Sequence, residues 1–409
     1  VRSVTGSSNS LSGPAPVVEG KYGGLVLRLL RTQPGLSRSR LSEITGLSPT
    51  TVTKAVTPLI ASGYVEETGS GAEPRIGRPA IGLRLVPDAV AVCGIQIGVG
   101  TVQAALVDAV GATQRTIQFT FSEDSDAEQV MTDVAERVRA ELLETAANEV
   151  IALGVGAPGP VDAVRRVNLM SVNLGWRDVP MAEILERVCG RPATVEHNVQ
   201  SMALAENRFG QSGRDIAFVH ARTGVGLGLV LRGRLFAGGR HGVSELGHLQ
   251  LVGDGELCAC GAHGCLETVA SEPALARRLA AVGHEGAGQA PLSAIDRAAI
   301  ADPALTGVRA QYLGDLATGL ANVVNLFNPE LIVVGGMLAN ASDVFLGDLA
   351  TATRERVFPL LRESFQVRRT SFGDNAGTVG AAATALEQFF YAAPVDREFS
   401  PLDALSWAR

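Results

Sequence analysis

The sequence predicts an α/β chain in which a small winged helix-turn-helix head precedes an internally duplicated, two-lobed body. Two observations carry that prediction. Between Lys21 and Val86, apolar residues recur at helical spacing in three runs, followed by two short strand-like runs. Beyond Ala91 strands and helices alternate, and a strand–Gly-rich turn–strand theme occurs at Val92–Asp108 and again at Ile216–Arg232. Length agrees, since 409 residues suffice for two or three domains with sizeable cores.

The elements follow in order. Residues 1–20, rich in Ser, Gly and Pro, read as a flexible tail. In the head, 21–86, Leu25, Leu29 and Leu30 define a first helix within Tyr22–Gln33. Ser37 announces a second, which carries Leu41 and Ile44 and stops at Gly46. Ser48 caps a third, with Pro49 at its first position, where a missing N–H costs nothing. Val52, Val56 and Leu59 line one face of it and leave Thr50, Thr51, Thr53 and Lys54 mostly for the other. Pro58 is expected to end or kink this helix. Tyr64–Thr68 and Ala80–Val86 read as strands joined by a Gly-rich loop, and 87–90 as a linker.

Lobe I, 91–210, carries strands at Val92–Ile97, Val102–Asp108 and Arg115–Phe121, a long helix near Ala127–Ala147 and a strand at Val150–Val155. Lobe II, 211–385, carries strands at Ile216–Ala221, Leu227–Arg232 and Arg234–Ala237, a helix at Asp315–Asn328 and a buried strand at Leu331–Val334. Residues 386–409 form a C-terminal extension.

Charge is unevenly distributed. Residues 1–90 hold ten Lys/Arg against six Asp/Glu, whereas the remainder holds 25 against 36. A basic head on an acidic body points to a polyanion at one end only. Within the loop R-I-G-R-P, Arg75 and Arg78 sit on a Gly/Pro-stiffened segment suited to a minor groove, which favours double-stranded DNA as partner. No run approaches the ~20 apolar residues of a membrane span, and the first ten residues contain no apolar signal core. Cys93 and Cys189, far apart in sequence, read as reduced core thiols; together these features predict a cytoplasmic protein.

The segment from Glu245 to Glu267 is the most informative. His248, Cys258, Cys260 and Cys265 offer one imidazole and three thiolates, the set that closes a tetrahedral zinc site. With all four positions filled by protein, such a zinc is structural and leaves no open position for catalysis. A second motif is set aside. Gly154–Gly159 fits G-x-G-x-x-G, but Pro158 and Pro160 block the helix that would deliver N–H groups to a dinucleotide phosphate.

Taken together, the motifs resemble the ROK family of repressors and sugar kinases. E-x-G-H followed by C-x-C-G-x-x-G-C-x-E (Glu245 to Glu267) is its most specific element. G-x-x-x-P-G-P-V-D (Gly154 to Asp162) and Asn173 ahead of Trp176 also match. So do G-L-S-x-T-T-V (Gly46 to Val52) and G-R-P, which resemble the head of the repressor branch. The resemblance spans about Tyr22 to Leu386. It implies an actin-like, two-lobed sugar-kinase body binding a sugar or sugar phosphate in its cleft, and a homodimer or homotetramer on a palindromic operator.

The implied sugar-contacting set is Gly159, Asn173, His197, Asn198, Glu245, His248 and Glu267. Sugar hydroxyls both donate and accept, so carboxylates and amides suit them. The kinase parts depart from the family pattern. Gln96 stands where an Asp helps hold magnesium, Arg222 where a glycine opens the second-lobe turn, and Asn198 where the general-base Asp belongs. An amide cannot take a proton at neutral pH, and losing the base alone costs about 10²–10⁴ in rate. The reading is therefore a sugar-responsive regulator of carbohydrate genes, with no catalytic residue. Its alternative is an active ATP-dependent sugar kinase with an accessory DNA-binding head.

Overall fold

A computed structural model describes residues 18, 20–70, 81–210, 213, 215–236, 244–251, 253–284, 290–296 and 302–392. The described chain forms two units, divided between Val86 and Pro87 and again between Ala385 and Leu386.

The head contains α1 (Gly23–Thr32), β1 (Leu36–Ser37), α2 (Arg38–Thr45), α3 (Pro49–Ala61), β2 (Val65–Ser70) and β3 (Ile81–Leu85). Ser37 Oγ accepts the Arg40 N–H and Ser48 Oγ the Thr51 N–H, so both helices of the helix-turn-helix start on a side-chain cap. Gly46 ends α2 at φ +69°, a left-handed position that glycine takes without strain. Leu30, Leu41, Val52, Val56 and Leu83 close a buried core beneath a three-stranded sheet of order β1-β3-β2. Pro58 does not end α3, which runs on to Ala61 with the proline in its last turn. The ring leaves the Lys54 carbonyl without its helical N–H, but both residues are exposed, so water can take that place.

Part of the C-terminal extension belongs to this unit. The turn Leu386–Phe390 buries Phe389, Phe390 and Tyr391 completely. Arg28 donates from Nε to the Tyr391 carbonyl at 2.8 Å and pairs with Glu387 at 3.0 Å. Tyr64 meets Phe390 edge to face with centroids 5.2 Å apart.

The body opens with β4 (Ala91–Ile97), β5 (Thr101–Asp108), β6 (Thr113–Thr120), α4 (Ala127–Val138) and β7 (Val150–Ala157). β8 (Val161–Asp162), β9 (Val167–Ser171), β10 (Trp176–Val179), α5 (Met181–Cys189), β11 (Ala193–His197) and α6 (Asn198–Phe209) complete lobe I. The expected long helix stops at Val138 and passes into one π turn, Arg139–Leu143. No helix opens after β7, and the chain instead turns through Pro158–Pro160 into β8.

Lobe II contains β12 (Ile216–Ala221), β13 (Val225–Leu231), β14 (Arg234–Leu235), α7 (Glu267–Ala270), α8 (Glu272–Ala281) and α9 (Pro291–Ile295). It continues with α10 (Pro303–Phe327), β15 (Leu331–Gly336), α11 (Asp343–Arg356), β16 (Gln366–Arg369) and α12 (Ala376–Ala385). α10 starts twelve residues before the expected Asp315, because Asp302 caps it and Pro303 takes its first position.

The duplication is explicit in the strand order. One sheet reads β6-β5-β4-β7-β11 and the other β14-β13-β12-β15-β16. In each, the first three strands in sequence pair antiparallel and the last two add in parallel. Each lobe has its own core, with Ile95, Val134 and Leu153 in one and Val219, Tyr312 and Ile332 in the other. Two helices cross between the lobes. α6 lies on β13, where a Cβ on Gly228 would collide with the Val199 carbonyl. α12 lies on lobe I, where a Cβ on Gly94 or Gly154 would collide with the carbonyls of Thr378 or Ala381. The small residues of α12, A-G-T-V-G-A-A-A-T-A, permit that approach.

Candidate functional site: an interlobe cleft beside a Cys3His cluster

The cleft is assembled from the ends of both sheets. Strand register sets His197 of β11 beside Ala157 of β7, so α6 begins where the Pro158–Pro160 turn leaves lobe I. Buried Asn168 fixes that turn by donating from Nδ2 to the Pro158 and Pro160 carbonyls, at 2.9 and 3.4 Å. Gly159 sits at φ +80°, and a Cβ there would run into the Met170 carbonyl. Asn173 follows, itself exposed, on the turn Val172–Leu174 just beyond β9.

In lobe II, a 3₁₀ turn carries His248, and Glu267 begins α7. Glu267 Oε2 accepts the Val225 N–H at 3.2 Å. Gly224 joins the two halves: a Cβ on it would lie 2.6 Å from Glu267 Oε2 and 3.9 Å from Asn173 Nδ2. Below it, a Cβ on Gly226 would meet Val199 at 2.6 Å, so the first turn of α6 rests on β13. Of the residues expected to form one site, Asn173 and Glu267 are thus brought together at Gly224, and the first turn of α6, which carries Asn198, rests beside Gly226.

The Cys3His ligand atoms all lie within 4.8 Å of one another. Cys260 and Cys265 Sγ are 3.8 Å apart, and Cys258 Sγ is 3.6 Å from His248 Nδ1. Two thiolates 2.3 Å from one tetrahedral ion are separated by about 3.8 Å, whereas a disulfide needs about 2.05 Å. The four residues therefore fit a tetrahedral metal ion. Burial pushes the Cys265 thiol up to about 12 and also raises Cys258, while the Ala262 backbone lowers Cys260. Three thiolates packed this closely call for a cation. His248 is tied to the cluster through Nδ1, which leaves Nε2 for another partner.

The remaining groups of the cleft are neutral or acidic. Asn198 Oδ1 accepts its neighbour Val199 N–H at 2.8 Å, leaving Nδ2 as a donor. A Cβ on Gly156 would lie 2.7 Å from Gln96 Oε1 and 3.5 Å from Asn198 Cα, so these two amides flank one glycine. Gln96 Oε1, His197 Nδ1 and His220 Nδ1 are buried without a hydrogen-bond partner among the described residues. Burial lowers His197 and His220 to about 4; the neighbouring His220 imidazole lowers His197 further, and the Arg222 guanidinium lowers His220 further. Burial raises Glu196 and Glu245; His248 lowers Glu245 and Glu267 raises it. Asn168 and His220 were not singled out by the sequence, and Gly224 was read only as part of a Gly-rich turn between two strands. The N–L–M run and the strand alternation mark the first two, and neither identifies a site.

On the head, Thr50, Thr53 and Lys54 are exposed along α3 and Thr51 is half-buried, its hydroxyl 2.8 Å from Ser48 Oγ. Arg75 and Arg78 lie outside the described residues.

Residues 92–388 match the model of the ROK family, and residues 24–66 match a winged helix-turn-helix DNA-binding model. The xylose repressor of Caldicellulosiruptor bescii is 26% identical over 378 residues, covering 88% of this chain and 94% of that one. Among solved structures, a ROK family transcriptional regulator, a homologue of the Escherichia coli MLC protein, is 28% identical with a TM-score of 0.76. It covers 88% of this chain and 94% of its own. A ROK family glucokinase from Streptomyces griseus, solved with glucose and AMPPNP, is 29% identical with a TM-score of 0.64. It covers 72% of this chain and 98% of its own. The glucokinase match leaves out more of this chain, whereas the two regulators extend over most of it. With its family match spanning most of its length and a DNA-binding head in front, the chain belongs to the ROK family.

Proposed function

We propose that the chain is a DNA-binding repressor of sugar-metabolism genes whose interlobe cleft senses a sugar or sugar phosphate and no longer transfers phosphate. The observation that carries this reading is Asn198 at the start of α6, in a chain that also has a winged helix-turn-helix head. Its amide can hydrogen-bond a sugar hydroxyl through Nδ2 but cannot take its proton. Gln96, beside it, is neutral where a magnesium site near phosphates wants a carboxylate.

In this reading Glu245, Glu267, Asn173, His197, His248 and Asn198 hold the sugar, with Gly159 shaping the turn below it. A structural zinc held by His248, Cys258, Cys260 and Cys265 fixes the segment that presents both glutamates. Thr50, Thr51, Thr53 and Lys54 face the major groove, and Arg75 and Arg78 the minor groove and backbone. Two-fold oligomers occupy a palindromic operator. Ligand changes DNA affinity only if it favours one degree of lobe closure over another.

The test is electrophoretic mobility of the promoter-proximal DNA at physiological salt, with and without sugars. Sequence-specific retardation relieved by one sugar class is expected, and binding without sequence preference overturns the reading. The second reading, an active kinase, draws on the similarity to a glucokinase at 29% identity. A coupled ADP-release assay across sugars separates the two. Turnover of about 1 s⁻¹ or more establishes the kinase.

A further inference from the structure

The three cysteines of the Cys3His cluster are not equivalent. Cys258 and Cys265 are buried, whereas Cys260 is exposed. Backbone bonds set this difference. The Cys258 N–H donates to the Ala262 carbonyl at 2.8 Å, and the Gly261 N–H donates back to the Cys258 carbonyl at 2.9 Å, so Cys260 stands within a tight turn. At the base of that turn Leu257 pairs with His263, and further down Gln250 pairs with Cys265. Gly261 and Gly264 take φ of +91° and +70°, left-handed positions that let the chain double back between Cys260 and Cys265.

The side chains divide in the same way. Cys260 and Cys265 Sγ face each other at 3.8 Å, while Cys258 Sγ lies 3.6 Å from His248 Nδ1 and 4.0 Å from Glu267 Oε1. A solute therefore reaches Cys260 first, and the sulfur facing it is Cys265. Metal ligation keeps these sulfurs as thiolates, the form that attacks a peroxide. The other half of the cluster leads to the cleft. Glu267 follows Cys265 by two residues, and its Oε2 accepts the Val225 N–H at 3.2 Å.

We propose that the cluster is a peroxide-responsive switch in which Cys260 and Cys265 close a disulfide and the metal ion is released. The Cys260 thiolate attacks one oxygen of hydrogen peroxide, the O–O bond breaks and hydroxide leaves, giving a sulfenic acid on Cys260. The Cys265 thiolate then attacks the Cys260 sulfur. An S–S bond forms, the S–O bond breaks and a second hydroxide leaves. The two sulfurs lose two electrons, peroxide gains them, and two protons from solvent complete two water molecules. A disulfide needs its sulfurs about 2.05 Å apart, so the pair closes by about 1.8 Å. Disulfide sulfurs carry no charge, which leaves only Cys258 and His248 for a divalent ion, too few to hold it. Resting on the sugar-sensing reading above, loss of that brace frees His248 and Glu267 and abolishes the response to sugar.

The test is a hydrogen peroxide titration of the zinc-loaded full chain, read by released zinc, by free thiols and by mass spectrometry of the peptide that carries the cluster. Zinc release and the loss of two thiols are expected to run together, with that peptide lighter by two hydrogens and bridged between Cys260 and Cys265. Cys93, buried, and Cys189, half-buried, serve as internal controls and should stay free. A thiol reductant with added zinc should restore both counts. Cys260→His, which keeps four ligands without the exposed thiol, should retain zinc at peroxide levels that discharge the wild type. The wild-type peptide decides the chemistry even if that variant does not fold. Zinc retained by oxidised protein, a bridge through Cys258, or oxidation that stops at a sulfinic acid overturns the inference. Mobility shifts on the same samples read the consequence. Sugar-dependent DNA binding that survives a closed Cys260–Cys265 bridge overturns the switch and leaves the sugar-sensing reading standing. Absence of any sugar response before oxidation removes that reading, while zinc and peptide still decide the disulfide.

Discussion

At the scale of single residues, the cleft is governed by which side chains can hold or release a proton. Asn198 and Gln96 can do neither, so Asn198→Asp alone is expected to leave sugar phosphorylation below about 1 s⁻¹ in an ADP-release assay. Restored turnover in that single variant would show that the nucleotide site is intact. The Cys3His cluster gives a second expectation. Wild-type protein should carry one zinc per chain by elemental analysis, and Cys260→Ser should lose it together with the sugar response of DNA binding.

His197 and His220 give a third. Both are neutral in the native cleft and titrate near 4, against an ordinary value of 6.5. Between those values the unfolded chain binds more protons. Stability of the body is therefore level above about pH 6.5 and falls as pH drops towards 4, by on the order of 3 kcal/mol for one imidazole. Urea midpoints at pH 7 and pH 5 measure this, and His220→Gln should flatten the difference. At this scale the Cys3His residues were legible as a cluster because they fall within one short segment. His220 was not, because its place comes from strand pairing between positions far apart in sequence.

Among elements, the head shows how far local chemistry reaches. The caps at Ser37 and Ser48 and the stop at Gly46 depend on neighbours within a few residues, and the helix starts read from the sequence match those of the fold. Ser48→Ala removes the acceptor for the Thr51 N–H and should cost the head about 1 kcal/mol by thermal unfolding. Lys54, exposed on α3, should reach base edges in the major groove. Lys54→Ala is expected to cost about 1–3 kcal/mol on the operator and to relax sequence preference, measured by titrating operator against unrelated DNA.

Element ends were less legible where the deciding contact is remote or absent. α3 continues through Pro58 because its missing bond faces solvent, and α10 extends back to Asp302 through residues with little apolar periodicity. The small-residue run of α12 has no amphipathic pattern. It becomes intelligible only against Gly94 and Gly154, more than 200 residues earlier.

For the whole molecule, the repeated sheet order was announced by a repeated strand–turn–strand theme, but the exchange of α6 and α12 between lobes was not. The placement of Leu386–Tyr391 in the head was likewise not foreseen, since nothing in a short aromatic run names its partner. The chain therefore enters and leaves its DNA-binding unit through two peptide connections, one after Val86 and one before Leu386. A protease that nicks the first connection should not release the head from the body. The fragments would remain joined through the second, and an SDS gel would show two bands where gel filtration shows one particle. A stop codon placed after Ala385 acts differently: it removes Phe389, Phe390 and Tyr391 from beneath Arg28 and Tyr64, and would unfold a DNA reader whose own helix-turn-helix sequence is untouched.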